Sequence, residues 1–332
     1  MANESAADLA IPKRSLILVT GATGHVASNI VEEALSLGYR VRGTVRSKDK
    51  AARLEAIFRS DAYSSFIVED MSAPGAYDAA VQGVDAIIHP STVTTYDPDP
   101  NKVVPATVAG ATGILYSALK SSTVKQVVYT STTPSLHPPN VRYKIGGSTW
   151  DDVTTEAAWA PPPYTPERSF LVYKASKAAA ERAVWEFVQI RNPHFGVNVV
   201  LPCVIFGRIV TSPSLPGQWP IDILNGKMPS DTAPNYMVNM TDVARIHVAA
   251  AIDLSVYNQR IMAFGCPFTW DEVIDAVQAA KPAATLPSHN SSQDRDLCEP
   301  DNSVGKNLLS KWWRQPMYTD LKETIKQNLE GI

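Results

Sequence analysis

Residues 15–37, with the sequence SLILVTGATGHVASNIVEEALSL, constrain the fold of this chain more than any other stretch. A nearly continuous apolar run opens the stretch and predicts a strand buried on both faces, as in a parallel sheet. Apolar residues at helical spacing close it and predict an amphipathic helix. The two elements are joined by a turn that contains Gly21 and Gly24, and the helix that follows has Ala27 in its first turn. The small size of these residues lets a ligand approach the turn and lets the helix pack close to the strand.

A glycine turn between a buried strand and a helix indicates a phosphate site. The first backbone N–H groups of a helix lack acceptors within the helix, and the helix dipole favours an anion at that end. The pattern G-x-x-G-x-x-A is weak on its own, since it also occurs as an ordinary turn. Its position after a strand and before a helix favours a dinucleotide whose pyrophosphate lies on the turn.

Length and charge limit the classes of protein to consider. A chain of 332 residues, of which 45% are hydrophobic, holds one large α/β domain, alone or with a smaller lobe. The formal net charge of −3 gives no basic field that would attract nucleic acid or an anionic membrane. We therefore expect neither nucleic acid nor a membrane as a partner, while the sequence leaves the oligomeric state open.

The three cysteines, Cys203, Cys266 and Cys298, are far apart in the sequence, with no C-x-x-C pair and no histidine at zinc-site spacing. They predict reduced thiols and no metal site. The amino-terminal segment lacks the apolar core of a signal peptide, and the apolar run at residues 197–206 is too short to span a bilayer. We expect a cytoplasmic protein.

Strand and helix patterns alternate after the first unit. Such alternation predicts the α/β class and a Rossmann-type doubly wound parallel sheet, with ligands bound beyond the carboxyl ends of the strands. A Pro- and Ser-rich stretch interrupts the rhythm after residue 212, and amphipathic helices follow it. The predicted parts are a flexible tail at 1–12, a nucleotide-binding Rossmann domain at 13–204 and 238–264, and a smaller C-terminal substrate lobe at 205–237 and 265–332.

The end of the second predicted strand, at residues 41–45, selects the cofactor. An NAD site places Asp or Glu there to bind the adenosine ribose hydroxyls, whereas this chain continues with Arg46, Lys48 and Lys50. An ordinary solvated loop would have the same composition. The missing acid together with Arg46 favours NADP, because a guanidinium binds a 2′-phosphate through charge-assisted hydrogen bonds.

Polar residues also follow two later strands. Asp70 comes after the strand at residues 66–68 and could accept a hydrogen bond from the adenine amine or cap a helix. The Thr-Ser-Thr-Thr sequence at 130–133 follows the strand at 124–129. Turn chemistry is the alternative explanation of these hydroxyl side chains, because Ser and Thr favour loop starts. The carboxyl ends of parallel strands meet at one edge, where the glycine turn also lies.

Tyr173 and Lys177 are four residues apart in a helical pattern that continues to residue 189. That spacing places the phenol and the ammonium on one face of the helix, one turn apart. Alone, Y-x-x-x-K mostly marks a surface pair. After a nucleotide-binding turn and a hydroxyl-rich strand end, it favours a catalytic pair.

Together these motifs resemble the extended short-chain dehydrogenase/reductases, and more closely their branch of dihydroflavonol reductase-like and yeast aldehyde/ketone carbonyl reductases. The resemblance is carried by VTGATGHVASNIVEEALSLGYRVRGTVRS at 19–47, VEDM at 68–71, YTSTT at 129–133, YKASKAAAE at 173–181, LPCVIFG at 201–207 and VNMTDVARIHVAA at 238–250. The motifs occur in the order of the family and extend over most of the chain.

The resemblance implies that Thr132, Tyr173 and Lys177 are the catalytic residues. The family usually has serine where this chain has Thr132, so Ser131 remains the alternative hydroxyl. Thr132 and Trp219 would line the substrate pocket, although Trp219 could equally be a partly buried loop residue.

The resemblance also assigns the cofactor contacts. Arg46 and Lys50 would bind the 2′-phosphate, Asp70 the adenine, and residues 202–204 the nicotinamide edge. The implied NADP(H) contacts are Thr20, Gly21, Thr23, Gly24, His25, Val26, Arg46, Lys50, Asp70, Met71, Tyr173, Lys177, Pro202, Cys203 and Val204.

These residues predict an NADPH-dependent carbonyl reductase that converts aldehydes or ketones to alcohols. Tyr173 would donate the proton, Lys177 would lower the pKa of that phenol and hold the nicotinamide ribose, and Thr132 would bind the carbonyl oxygen. One alternative is a nucleotide-sugar epimerase or dehydratase, which usually keeps an acid after the second strand. Another is a non-catalytic NADP sensor. The sequence leaves the physiological carbonyl compound and the stereochemical preference open.

Overall fold

A central parallel sheet organises the computed structural model, which describes residues 8–92, 95–133, 140–229, 235–290 and 294–332. The seven strands of this sheet have the order β10-β7-β5-β4-β1-β2-β3, and all neighbouring strands pair in parallel. With strands numbered along the chain, they are β1 (Leu16–Val19), β2 (Arg40–Val45), β3 (Tyr63–Ile67), β4 (Ala86–His89), β5 (Gln126–Thr130), β7 (Gly196–Pro202) and β10 (Arg260–Ala263). The predicted Rossmann-type doubly wound fold is confirmed.

Helices cover both faces of the sheet. They are α1 (His25–Ser36), α2 (Lys48–Phe58), α3 (Pro100–Leu119), α4 (Asp152–Ala158), α5 (Ser169–Arg191), α6 (Leu215–Leu224), α7 (Met240–Ile252), α8 (Trp270–Ala280), α9 (Ser303–Trp313) and α10 (Leu321–Asn328). Helices α1, α7 and α9 pack together on one face, and α3 packs along α5 on the other. The order of strands reverses between β1 and β4, which is where such sheets open a crevice for ligands.

Two smaller sheets complete the described chain. Strands β8 (Val204–Phe206), β9 (Asn235–Asn239) and β11 (Cys266–Phe268) form one sheet, and β6 (Arg142–Ile145) pairs with β12 (Leu297–Pro300) in the other. The three-stranded sheet buries aromatic and aliphatic side chains against α6, α8 and α10. We call this unit the small lobe, and the substrate-binding role predicted for this part of the chain stays a prediction.

The structure divides the carboxyl-terminal part of the chain differently from the predicted boundaries. Helix α9 falls inside the predicted lobe at 265–332, yet Leu308, Leu309 and Trp312 are buried in the core of the large domain beside α7. Conversely, β9 belongs to the small lobe, although its last two residues fall in the predicted range 238–264. The difference arises because packing partners, rather than chain order, decide which unit an element joins.

The predicted tail at residues 1–12 is also corrected in part. Leu9 forms an antiparallel bridge with Asp253, and the Leu254 N–H donates to the Asp8 carbonyl at 2.9 Å. Ile11 is completely buried in the core that α1 and α7 share. Residues 8–11 are therefore held on the large domain, while residues 1–7 lie outside the described chain.

Helix α3 is long and apolar enough to cross a membrane by length and composition alone. Half of its apolar window is buried inside the protein, where Ile114 and Leu115 pack in the core beneath α5. A core helix of an α/β domain has this composition.

Candidate active site

The glycine turn has the geometry of a phosphate-binding turn. Gly21 has a φ of 60°, and a Cβ at this position would collide with the Ser91 side chain. Gly24 is exposed and precedes α1, whose start has no side-chain cap among the residues that the structure describes. The first amides of α1 thus lack a side-chain acceptor from the described residues, and this turn fits a dinucleotide pyrophosphate.

The side chain of His25 does not face this phosphate site. Its Nε2 donates to the Arg208 carbonyl at 2.9 Å, and its Nδ1 accepts from the Ser214 N–H at 3.0 Å. Since a backbone N–H can only donate, this pair of contacts fixes the neutral tautomer, and burial lowers the pKa of the imidazole. The assignment of His25 to the cofactor therefore applies only to its backbone amide.

The remaining residues of the turn join it to neighbouring segments. The Thr20 hydroxyl hydrogen-bonds Nδ1 of His89 at 2.8 Å, linking the ends of β1 and β4. The Thr23 carbonyl accepts from the Thr211 hydroxyl at 2.9 Å, while Val26 is half-buried in α1. These contacts attach the turn to both the sheet edge and the segment that leads into α6.

Cationic and acidic side chains meet at the ends of β2 and β3. Arg46 and Asp70 are both exposed, and both act electrostatically on the buried Tyr77 phenol, whose pKa is raised mainly by burial. Asp70 also accepts from the Ser72 N–H at 2.8 Å. Lys50 is exposed in the first turn of α2. Arg46 and Lys50 form no ion pair within the described part of the chain, so both are available to an anion.

Met71, the next of the predicted cofactor residues, contacts α3 instead of extending into solvent. Its methyl carbon lies 3.0 Å from the point where Gly110 would carry a Cβ. The glycine therefore leaves the space that the methionine side chain fills. The contact of Met71 with the cofactor stays a prediction.

Lys177 is held inside the protein at the end of β5. Its Nζ donates to the Tyr129 hydroxyl at 2.9 Å and to the Thr130 carbonyl at 2.7 Å, and only 2% of the side chain is exposed. Burial lowers the pKa of this ammonium to about 7, and the Glu181 carboxylate acts in the opposite direction. An ammonium has three donors, so two are used here and the third remains for a ligand.

Tyr173 lies half-buried on α5 between two aromatic rings. The Tyr96 ring centroid is 5.3 Å away and the Phe170 centroid 6.2 Å away. Burial raises the pKa of the Tyr173 phenol, and Tyr96 adds to the shift. We predicted that Lys177 would lower this pKa; the structure contradicts this prediction, because the ammonium is directed at Tyr129 and Thr130.

The hydroxyl residues after β5 have different partners. The Ser131 hydroxyl is buried and donates to Glu181 Oε2 at 2.6 Å. The Thr133 hydroxyl donates to the Pro202 carbonyl at 3.4 Å. Thr132 is half-buried, and its hydroxyl has no hydrogen-bond partner among the described residues. Of the two candidate catalytic hydroxyls, Thr132 is therefore the one available to a substrate.

The predicted nicotinamide residues lie between β7 and β8. Pro202 ends β7, Val204 begins β8, and Cys203 between them is buried, with Sγ donating to the Ala263 carbonyl at 3.5 Å. Burial raises the pKa of the Cys203 thiol, so it remains protonated. Cys203 thus contributes packing and backbone at this edge, not a reactive thiolate.

Trp219 belongs to a helix and not to a loop. It lies on α6, half-buried, with ring centroids of Trp270 at 5.5 Å and Phe206 at 6.3 Å. Phe268 packs against the other rings of this aromatic cluster, 5.5 Å from Phe206. Trp219 therefore forms part of the small lobe's core and has one half-exposed surface to offer a ligand.

Several residues of the site were not identified from the sequence. Tyr96 packs on Tyr173 from a loop. Its φ of 49° is unusual for a residue with a large side chain, and no pattern in the sequence predicts it. His89 and Tyr129 stack at 6.0 Å beside the lysine. Glu181 could have been found, since it follows Lys177 by four residues on the same helix.

The glycine turn, the topology and the Tyr/Lys helix are those of a dinucleotide-dependent enzyme. Residues 17–209 match the NAD dependent epimerase/dehydratase family. The chain belongs to this family, and its predicted membership of the extended short-chain dehydrogenase/reductases is confirmed.

Individual relatives extend over nearly the whole chain. Aldehyde reductase 2 of Sporidiobolus salmonicolor is 32% identical over 95% of this chain and 95% of its own. The NAD-dependent epimerase/dehydratase terH of Aspergillus terreus is 34% identical over 97% and 98%. The solved structure of Gre2 from Candida albicans, determined as an NADPH complex, has a TM-score of 0.81 at 24% identity, covering 95% of this chain and 98% of that chain. The last likeness establishes the shared fold.

Proposed function

We propose that this protein is an NADPH-dependent carbonyl reductase that converts an aldehyde or ketone to an alcohol. The observation that carries the proposal is the attachment of Lys177 to the Thr130 carbonyl at 2.7 Å. This contact joins α5, which bears Tyr173, to the end of β5, which Thr132 follows. Strand β5 lies next to β4, which is itself the neighbour of β1 and the glycine turn. Whole-length relatives named aldehyde reductase and ketoreductase support the same reaction class.

The cofactor is NADP(H). Arg46 and Lys50 supply exposed positive charge at the end of β2, where an NAD site would present an acid. The uncapped start of α1 and the positive φ of Gly21 suit the pyrophosphate. When bound, the reduced nicotinamide supplies the hydride.

Side chains of the protein stabilise the negative charge that develops on the substrate oxygen. Hydride addition to the carbonyl carbon builds negative charge on the oxygen, which Thr132 and Tyr173 stabilise as hydrogen-bond donors. Because burial raises its pKa, the Tyr173 phenol keeps its proton until the oxygen becomes basic enough to take it. The Lys177 ammonium, held by the Tyr129 hydroxyl and the Thr130 carbonyl, would use its remaining donor to hold the nicotinamide ribose.

The reaction class is tested by measuring NADPH oxidation across a panel of aldehydes, diketones, keto esters and aryl ketones, with product alcohols identified. We expect turnover with at least one compound class and a strong preference for NADPH over NADH. Absence of oxidation with every carbonyl compound, in protein that binds NADPH, would favour a sensor. Co-purification with tightly bound NAD would favour the epimerase or dehydratase reaction that the name of one relative suggests.

Replacing Arg46 with alanine tests the cofactor assignment. A hydrogen bond between charged groups contributes roughly 1.5–3 kcal/mol, so we expect the Kd for NADPH to rise by about 10- to 100-fold. The Kd for NADH, which lacks the 2′-phosphate, should change by less than about twofold. Arg40→Ala is the matched control, because Arg40 is exposed at the opposite end of the same strand. Equal losses for both cofactors in Arg46→Ala would exclude a 2′-phosphate contact.

A further inference from the structure

Glu181 is a buried carboxylate at the centre of a contact network behind the proposed catalytic residues. Only 2% of the residue is exposed. Oε2 accepts from the Ser131 hydroxyl at 2.6 Å, and Oε1 accepts from Arg260 Nε at 2.6 Å and from Trp185 Nε1 at 3.3 Å. Both carboxylate oxygens therefore have defined partners, as a buried charge requires.

These partners come from separate parts of the large domain. Ser131 follows β5 and precedes Thr132, whereas Arg260 begins β10 at the edge of the sheet. Arg260 is itself fixed by the Gly147 and Thr149 carbonyls at 2.6 and 2.8 Å, and it lies 4.1 Å over the Trp150 ring. Glu181 thus connects α5, the hydroxyl-bearing strand end and the sheet edge through short, charge-assisted hydrogen bonds.

We propose that Glu181 is a positioning residue for carbonyl reduction: it fixes the strand end that bears Thr132, and it places a negative charge one helical turn from Lys177 on α5. The inference rests on the proposed function and extends it to a residue that does not touch the substrate. Its two parts, a hydrogen bond to Ser131 and a charge near Lys177, can be removed separately.

The surroundings of Lys177 indicate why the charge matters. Burial lowers the pKa of Lys177 to about 7, and Glu181 opposes this shift. The other titratable groups around the ammonium are Tyr129 from β5, Tyr173 from α5 and His89 from β4. Burial, aided by Lys177, lowers the pKa of His89 to about 3, so this imidazole is neutral at physiological pH. Glu181 therefore contributes the negative charge in this group, and it is paired with Arg260 at 2.6 Å.

The test compares Glu181→Gln with Ser131→Ala. Glutamine keeps the size of the side chain and a hydrogen-bonding oxygen but removes the charge. Since Lys177 must be protonated to act, kcat falls as pH rises through its pKa. We expect Glu181→Gln to move this alkaline limb of the kcat profile about one pH unit lower. Ser131→Ala keeps the charge, so its limb should stay at the wild-type pH while kcat falls several-fold with little change in KM.

A second variant controls for unfolding, because Glu181→Gln leaves the Arg260 charge unpaired. Glu181→Gln combined with Arg260→Met removes both charges of the buried pair and should fold, as such replacements often do. Because Arg260→Met also removes a positive charge, the double variant is compared with Arg260→Met alone, and relative to that variant its alkaline limb should lie at lower pH. An unshifted limb in folded Glu181→Gln, or equal limbs in the double variant and Arg260→Met, would overturn the electrostatic part, and unaltered kcat in Ser131→Ala would overturn the positional part.

A direct titration separates this inference from the proposed function. In wild-type protein labelled with ¹³C at lysine Cε, the Lys177 resonance, assigned by its loss in Lys177→Met, should titrate near neutral pH and shift to lower pH in Glu181→Gln. Wild-type protein without carbonyl reduction would contradict the proposed function, whatever this titration gives. Active wild-type protein with the same Lys177 titration in both forms would contradict the role of Glu181 alone.

Discussion

Tyr173→Phe is expected to lower kcat for carbonyl reduction by roughly 10²- to 10⁴-fold, the usual contribution of a positioned general acid. The reason is that, in the proposed mechanism, the phenol donates the proton to the developing alkoxide. Phenylalanine keeps the ring contacts with Tyr96 and Phe170, at 5.3 and 6.2 Å, so the fold should be preserved. The Kd for NADPH, measured by fluorescence, should change by less than about twofold.

Tyr96→Phe is the matched control for this experiment. It removes a phenolic hydroxyl from the ring that packs directly on Tyr173, and it leaves the proposed proton donor intact. We expect kcat to change by no more than several-fold, although KM can shift because the ring borders the site. Unchanged turnover in Tyr173→Phe, or equal losses in the two variants, would remove Tyr173 from the role of acid.

The fold was predictable because its signals are local in sequence. An apolar run, a glycine turn and a helical pattern lie within residues 15–37, and the structure has β1, the turn and α1 there. The alternation of later elements then allows few arrangements other than a doubly wound parallel sheet. The carboxyl-terminal helices carry no such constraint. The amphipathic faces of helices such as α8 and α9 do not reveal which core they join. The structure therefore places α9 in the large domain, whereas the predicted boundary placed it in the lobe.

The sequence suggested candidate residues for the site but could not show their contacts. Tyr173 and Lys177 are related by helical spacing, which the sequence gives directly. The direction of the Lys177 ammonium depends on Tyr129, 48 residues away, and the His25 ring is held by Ser214, 189 residues away. Such long-range partners have no signature in a single sequence. This is why the direction of the pKa shift of Tyr173 needed correction, and why the partners of the His25 ring could not be predicted.

Thr132→Val is expected to lower kcat by about 10²- to 10³-fold, as does the loss of one donor to a developing oxyanion. Valine has nearly the shape of threonine, so the loss isolates the hydroxyl from the packing. Thr132→Ser retains the donor and should stay within about tenfold of wild type. The measurement is single-turnover reduction with saturating NADPH, together with the Kd for NADPH, which should not change.

The comparison with Ser131→Ala decides which hydroxyl contacts the substrate. Ser131 donates its proton to Glu181 at 2.6 Å, and moving it to a carbonyl oxygen would leave the buried carboxylate short of a donor. The Thr132 hydroxyl has no hydrogen-bond partner among the described residues, so it can donate to a substrate without breaking such a bond. We therefore expect Ser131→Ala to lower kcat only several-fold. A larger loss in Ser131→Ala than in Thr132→Val would reverse the assignment and require the serine to leave Glu181 during the reaction.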